Sequence, residues 1–175
     1  MHAGWLRVRD EVSAVMSNIS DADMATARTM FDDRSRRWFC SGQGRSGLVA
    51  RMVAMRLMHA GLIVHVVGES TAPAIGAGDG LLLISATGET PITVHLAQTG
   101  LSLGAELLAV TTRATSTLGR LANTTITVPL VESVQFGGSL FEQSALLLTD
   151  GLILEITGTH PATYRQMQAR HANLQ

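Results

Sequence analysis

Hydroxyl-bearing residues and a glycine directly follow a short apolar run in the middle of the chain. Leu81–Ile84 predicts a buried strand, and residues 85–90 read Ser-Ala-Thr-Gly-Glu-Thr. Pro91 suits the first position of a helix, where its missing N–H needs no partner, so Thr90 is expected at the N-cap. Hydroxyls and free N–H groups at a helix N-terminus favour an anion, most often phosphate. The alternative is a tight turn in which Thr90 only caps the helix.

A second glycine-rich segment lies earlier, between a predicted strand and a predicted helix. Gly42, Gly44 and Gly47 have the spacing of the dinucleotide-binding fingerprint. Glu69 stands about 20 residues further on, where that motif has a ribose-binding carboxylate. Against this alternative, little chain remains for a substrate domain, and the hydroxyl-rich turn has no part in such a scheme.

Composition excludes several classes of protein. A net charge of −1, 4% aromatic residues and the lack of a basic run argue against a nucleic-acid partner. The single cysteine, Cys40, excludes an intramolecular disulfide and fits a reducing compartment. No lysine occurs, which excludes Schiff-base chemistry and a Walker-type phosphate loop. With neither a signal peptide nor a membrane span apparent, and no metal-ligand spacing, we expect a cytoplasmic protein with no metal site.

Apolar periodicity predicts strands that alternate with helices along most of the chain. Two amphipathic helices, or one bent helix, are expected over residues 5–31. The predicted strands are 38–41, 63–67, 81–84, 106–111 and 124–128, and the later helices are 48–59, 91–102, 116–122, 139–156 and 161–172. This alternation indicates an α/β fold, a Rossmann-like three-layer sandwich with a parallel sheet between helices. Ligands bind beyond the carboxyl ends of such strands, so both glycine-containing turns are expected to share one crevice.

Five longer segments carry a family resemblance. They read GQGRSGLVARMVAMRLMHAG, VVGESTAPAIGAGD, ISATGET, GSLFEQ and ARHANL, within a similarity that runs from about Arg37 to the C-terminus. They resemble the 6-phospho-3-hexuloisomerase family of sugar isomerase (SIS) domains. The resemblance implies one SIS domain over 1–175, with N-terminal helices in 1–35, a five-stranded sheet core in 36–130 and C-terminal helices in 139–175.

The same resemblance implies an activity and an assembly. The family interconverts 3-hexulose 6-phosphate and fructose 6-phosphate in formaldehyde fixation by the ribulose monophosphate route. It uses no cofactor and forms a homotetramer with active sites between subunits. The alternatives are an isomerase of another sugar phosphate, such as a pentose or heptose phosphate, and a non-catalytic sugar-phosphate-binding module.

The chain departs from the family pattern at two places. Thr87 stands where the family usually has a second serine, and Ala86 where it has glycine. Residues 134–137, Val-Gln-Phe-Gly, replace a proline-containing approach to the Gly-Ser-Leu-Phe-Glu motif. Thr87 keeps the hydroxyl that the phosphate site requires.

Moving a carbonyl between neighbouring carbons through an enediol requires a base, a donor to the oxygens and an anchored phosphate, but no metal or redox cofactor. The residues expected to hold the substrate and its phosphate are Gly44, Ser46, Ser85, Thr87, Gly88 and Thr90. Ser46 has the alternative of capping the helix that follows it. Glu89 is expected to be structural, because a carboxylate there repels an anion.

Glu142 is the candidate base, because it matches the last residue of the family's Gly-Ser-Leu-Phe-Glu motif. The competing interpretation is a capping box, in which Glu142 returns to the Ser139 N–H. His59 either meets the C-terminal dipole of its helix as a cation or donates a proton, in the second case across a subunit boundary. His171 lies in the ARHANL segment shared with the family, so we expect this tail to be held in place near the site, where His59 or His171 assists Glu142 in catalysis.

Overall fold

A parallel sheet of five strands lies at the centre of the computed structural model, which describes residues 3–129 and 132–174. The strands are β1 (Arg37–Gly42), β2 (Ile63–Val66), β3 (Gly80–Ile84), β4 (Glu106–Thr111) and β5 (Thr124–Thr127). They lie in the order β2-β1-β3-β4-β5, and every neighbouring pair is parallel. The α/β fold class predicted from the sequence is confirmed.

Helices cover both faces of this sheet. Within the described ranges they are α1 (Gly4–Met16), α2 (Asp21–Thr29), α3 (Arg45–His59), α4 (Pro91–Ser102), α5 (Thr117–Leu121), α6 (Ser139–Thr157) and α7 (Pro161–Ala169). The N-terminal segment forms two helices rather than one bent helix, because the Ser20 hydroxyl caps α2 by accepting from the Asp23 N–H at 3.1 Å. Among the helices described, none has the length and apolar character needed to cross a membrane.

The side chains of each strand alternate between two cores. Leu82 and Ile84 of β3 face the larger core, which α1, α2, α3 and α6 cover. Leu81 and Leu83 face the smaller core, on the side of α4 and α5. Burial on both faces explains why β3 reads as a continuous apolar run rather than as an alternating one.

The strand order reverses between β1 and β3, which are neighbours in the sheet. Gly42, at the end of β1, pairs with Ile84, at the end of β3. The turns that follow these two strands therefore lie side by side at the carboxyl edge of the sheet, where α/β folds bind ligands. From this edge α3 runs towards the opposite edge, so His59 lies about 21 Å along the helix from Arg45 at 1.5 Å per residue.

Candidate functional site

The turn after β3 is built around the buried hydroxyl of Ser85. This oxygen accepts a hydrogen bond from the Gly88 N–H at 3.2 Å and lies 3.3 Å from Thr90 Oγ1. Thr90 is the N-cap residue of α4, as predicted, but its hydroxyl makes no capping hydrogen bond. Because capping does not occupy the Thr90 hydroxyl, the interpretation that it serves only as a cap loses its support.

Gly88 is the residue that allows this turn to close. Its φ is +66°, in the left-handed region that favours glycine. A Cβ atom at this position would lie 2.1 Å from Ser116 Oγ, so no larger residue fits. The Leu118 N–H donates to the Gly88 carbonyl at 2.9 Å and ties the turn to α5.

Neighbouring threonines hold the other side of the turn. The Ala86 carbonyl accepts from the Thr112 hydroxyl at 2.7 Å, from the Thr112 N–H at 3.1 Å and from the Thr111 hydroxyl at 3.2 Å. The side chain of Thr87 is exposed, and its hydroxyl accepts from the Glu89 N–H at 3.1 Å. The turn is thus fixed before any ligand arrives, with Thr87 on its open side.

Glu89 has the structural role expected of it. Its Oε1 accepts from the Thr117 N–H at 2.8 Å, at the start of α5. Hydrogen bonding from the side chain and backbone of Thr117 lowers the pKa of Glu89, and the positive charges of Arg120 and Arg113 lower it further. Glu89 is therefore ionised at neutral pH and places a negative charge next to the turn.

The glycines after β1 serve close packing of the backbone. A Cβ on Gly42 would lie 2.8 Å from the Ile84 and Ser46 carbonyl oxygens, and one on Gly47 would lie 2.7 Å from the Gly42 oxygen. Gly44, with φ +56°, is the N-cap residue of α3. The capping alternative for Ser46 was wrong, because this buried serine lies within the first turn of the helix.

Glu69, the carboxylate of the dinucleotide alternative, pairs with Arg51 on α3 at 3.1 Å. Its neighbour along the chain, Gly68, lines a separate cavity below the smaller core rather than the crevice between β1 and β3. The fingerprint spacing of the glycines is therefore explained by the strand-to-helix packing alone.

A cavity of about 430 Å³ opens beside the turn after β3. The residues around it include Ala86, Thr87, Thr112, Arg113, Gly138 and Phe141. It therefore lies between the turns after β3 and β4 and the start of α6. Space for a small phosphorylated molecule exists next to Thr87.

Glu142 does not form the capping box. It lines a second cavity with Arg45 and Met52 and lies close to Gly138, which lines the first. Gly138, not Ser139, is the N-cap residue of α6, and the Ser139 N–H donates to the Phe136 carbonyl instead. An added Cβ on the cavity residue Gly138 would lie 3.2 Å from Glu142 Oε1. The other oxygen, Oε2, lies 2.5 Å from Arg45 Nε as an ion pair, without the alignment of a hydrogen bond.

The loop before α6, residues 132–138, is held by Glu11 on α1. The Glu11 carboxylate accepts from the Ser133 hydroxyl at 2.7 Å, the Gln135 side-chain amide at 2.9 Å and the Val134 N–H at 3.2 Å. Gln135 in turn accepts from the side chain of Gln143 at 2.9 Å. This network takes the place of the family's proline-containing approach and fixes where α6 starts.

His59 and His171 lie together, but away from the turn after β3 of the same chain. Their rings stack with centroids 5.3 Å apart. His59 is only 3% exposed, and burial lowers its pKa, aided by the charges of Arg56 and His171. The neutral imidazole is therefore favoured, so His59 does not act as a cation at the end of α3.

Two arginines take that role at the C-terminus of α3. Arg170 donates to the His59 carbonyl at 3.0 Å, and Arg34 donates to the Ala60 carbonyl at 3.5 Å and to the Ile156 carbonyl at 3.1 Å. Positive charge at a helix C-terminus is favourable. The start of the ARHANL tail is thus held against α3 by Arg170 and His171, whereas residues 172–174 are exposed.

The sequence reasoning missed two members of the site. Glu11 lies far along the chain from the loop that it holds, and Arg113 lines the cavity from the turn after β4. Arg113 had one signal: it follows a predicted strand of a parallel sheet and so belongs at the ligand-binding edge. Glu11 had none, because it lies on an amphipathic helix without any motif.

Comparison with known proteins shows the family to which the chain belongs. Residues 33–148 match the family model of the SIS domain, which is more than half of the chain. The chain belongs to the SIS domain family, and the family predicted from the sequence is confirmed.

Individual relatives are more specific. A 3-hexulose-6-phosphate isomerase of Mycobacterium gastri is 40% identical over 177 residues, which cover 96% of this chain and 88% of that protein. A 3-hexulose-6-phosphate isomerase of Bacillus subtilis is 37% identical over 150 residues, 81% of each chain. A solved structure from Methanococcus jannaschii, inferred to be a 3-hexulose-6-phosphate isomerase, superposes with a TM-score of 0.84 at 26% identity and covers 98% of this chain and 99% of its own.

The Glu11 network predicts a pH-dependent contribution to stability. Hydrogen bonds from Gln135 and Ser133 lower the pKa of Glu11 below its usual value of 4.5, with Val134 and Arg7 adding to the effect. A carboxylate with a lowered pKa stabilises the fold above its unfolded pKa, and this stabilisation disappears as the pH falls through the folded pKa. We expect Glu11→Gln to be less stable than the wild type at pH 7 and the two proteins to converge in acid.

Urea unfolding at a series of pH values measures this difference. Asp10→Asn is the matched control, because Asp10 lies on the same helix and pairs only with Arg9 at the exposed surface. The control is expected to follow the wild type at every pH. A Glu11→Gln protein as stable as the wild type at pH 7 would contradict the role given to the network.

Proposed function

We propose that this chain is a sugar phosphate isomerase that interconverts 3-hexulose 6-phosphate and fructose 6-phosphate through an enediol. One observation carries the proposal: the carboxylate of Glu142 lies close to Gly138, which lines the cavity beside the hydroxyl-rich turn. The relatives named as 3-hexulose-6-phosphate isomerases support it, since they match most of the chain.

In this proposal the turn after β3 anchors the phosphate. Thr87 and Thr90 present hydroxyls, and the N-terminus of α4 adds its partial positive charge. Ser85 and Gly88 hold the turn in shape and contribute a hydroxyl and an N–H to its inner surface. The turn after β1, with Gly44 and Ser46, lies beside it and binds the sugar.

Glu142 moves the proton. In fructose 6-phosphate the carbonyl is at C2, so the carboxylate removes the proton from C3 and leaves a 2,3-enediol. Returning a proton to C2 gives the 3-ketose, in which C3 carries the carbonyl, and no redox partner or metal is required. Arg45 holds the carboxylate through Oε2, while Oε1 lies near Gly138.

His59 and His171 assist from a neighbouring subunit in this proposal. Within one chain they lie at the far end of α3, opposite the edge where Glu142 lies. A buried imidazole whose pKa is lowered is neutral at pH 7 and can pass a proton to or from an enediol oxygen. Only a second copy of the chain brings such a histidine to the cavity.

An exposed apolar face supports assembly into a homotetramer with sites at the subunit interfaces. On α3 the side chains of Leu48, Met52 and Met55 are 62%, 44% and 48% exposed, and their spacing places them along one stripe. A cavity of about 370 Å³ joins this stripe to Arg45 and Glu142. A subunit docked on the stripe would therefore border the catalytic carboxylate.

The proposal also covers the pathway in which the enzyme acts, its location and the extent of its domain. We assign the chain to formaldehyde fixation by the ribulose monophosphate route, as a cytoplasmic enzyme without a cofactor. We also assign the whole of 1–175 to one SIS domain, with its helices and sheet divided as the sequence predicts.

Replacing Glu142 by Gln tests the proton transfer. We expect the turnover of fructose 6-phosphate to fall by about 10³-fold or more, since loss of a general base costs about 10²–10⁴. Binding of fructose 6-phosphate is expected to persist, because the turn after β3 is unchanged. The measurement is deuterium incorporation from heavy water at C3, followed by NMR, together with the appearance of the 3-ketose.

Glu155→Gln is the matched control, because Glu155 lies on the same helix and is exposed. Turnover by Glu142→Gln equal to that of the control would remove Glu142 from the mechanism. Deuterium at C1 instead of C3 in the wild type would indicate an aldose–ketose isomerase that acts on fructose 6-phosphate through a 1,2-enediol. Binding without any exchange would indicate a non-catalytic sugar-phosphate-binding module.

Mixed assemblies test whether the site is shared. Glu142→Gln and His59→Gln proteins are each expected to be nearly inactive, but refolding them together in equal amounts should restore activity. If each site takes Glu142 from one subunit and His59 from another, about a quarter of the sites regain both residues in a symmetric oligomer. No gain on mixing, or full activity of His59→Gln alone, would contradict the shared site.

A further inference from the structure

The residues of the turn after β3 do not themselves supply the positive charge that would neutralise a phosphate ester. Near neutral pH a phosphate monoester carries a charge between −1.5 and −2, according to its second pKa of about 6. The turn offers hydroxyls and N–H groups, which are neutral donors, and it carries the ionised Glu89. A cation close to the turn is therefore needed to offset two negative groups.

Three arginines lie near enough to be considered, and two of them are engaged. Arg45 pairs with Glu142 at 2.5 Å. Arg120 donates to the Thr115 carbonyl and lies 3.5 Å from the Thr117 hydroxyl. Its guanidinium is therefore bound to the first residue of α5 and to the segment just before this helix. These contacts therefore direct neither guanidinium into the cavity beside Thr87.

Arg113 is the third arginine, and its surroundings differ. It lies in the turn after β4, directly after Thr112, whose hydroxyl and N–H hold the Ala86 carbonyl. It lines the same cavity as Thr87 and Gly138. Among residues 3–129 and 132–174 its guanidinium has neither a hydrogen bond nor an ion pair, while its charge acts on Glu89.

We propose that Arg113 is a phosphate-binding residue of this site, the cation that recognises the ester group held by the turn after β3. This proposal rests on the proposed function, because it assumes that the cavity beside Thr87 receives a sugar phosphate. The planar guanidinium presents paired N–H groups that match two phosphate oxygens. Hydroxyls of the turn position the phosphate, and Arg113 makes the site select a phosphorylated sugar over a free sugar.

Calorimetric titration with fructose 6-phosphate and with inorganic phosphate tests this assignment. For Arg113→Gln we expect both ligands to bind about 10- to 100-fold more weakly, because a hydrogen-bonded charge contributes about 1.5–3 kcal/mol. In turnover assays kcat/KM falls by a similar factor, and kcat falls far less, because the residue does not touch the reacting carbons. Arg113→Lys is expected to be intermediate, since it keeps the charge and loses the paired donors.

Arg120→Gln is the matched control, as an arginine near the same turn whose contacts go to α5. It is expected to bind fructose 6-phosphate like the wild type. Equal affinity of Arg113→Gln and the wild type for both ligands would overturn the assignment, and so would an equal loss in Arg120→Gln.

The titration also separates this assignment from the proposed function. A wild-type protein that binds fructose 6-phosphate without isomerising it overturns the function, while weaker binding by Arg113→Gln still supports the phosphate contact. A wild-type protein that binds neither ligand overturns both. Circular dichroism of each variant shows that the exposed substitution leaves the fold intact.

Discussion

The reversal of strand order between β1 and β3 is the constraint on which the rest of the site depends. It places two turns side by side at the carboxyl edge of the sheet, and close packing of Gly42 against the Ile84 carbonyl leaves no gap between the strands. The turn after β3 is then fixed by hydrogen bonds from β4 and α5 through Ala86 and Gly88. A turn with this many internal contacts is organised before any ligand binds, which lowers the entropy cost of binding.

The position of α3 places the proposed catalytic groups at two opposite edges of the sheet. Arg45 begins the helix beside Glu142, and His59 ends it beside His171. A rigid helix of this length keeps the carboxylate and the imidazoles of one chain apart. If both take part in one reaction, assembly of several chains is part of the active site, and the exposed apolar stripe on α3 supplies the contact surface.

The features that could be predicted from the sequence are those that depend on residues close together along the chain. The start of α4 was predicted correctly because Pro91 marks a helix start, and β4 because its apolar run is bounded by turns. The capping alternatives for Ser46 and Glu142 were wrong, because α3 and α6 each begin with a glycine N-cap, Gly44 and Gly138, just before the residues that the patterns indicate. Glu142 meets Arg45 and Glu11 meets Ser133 only after the chain folds. No local spacing encodes either contact, although family resemblance correctly indicated the fold.

The central claim is that the turn formed by residues 85–90 holds the phosphate of a sugar whose reacting carbons lie next to Glu142. A crystal structure of the Glu142→Gln protein grown with fructose 6-phosphate measures this directly. The account predicts the phosphate within hydrogen-bonding distance of the Thr87 and Thr90 hydroxyls, with C3 of the sugar facing the side chain at position 142. A phosphate bound elsewhere, with the cavity beside Thr87 left to solvent or to protein side chains, would contradict it.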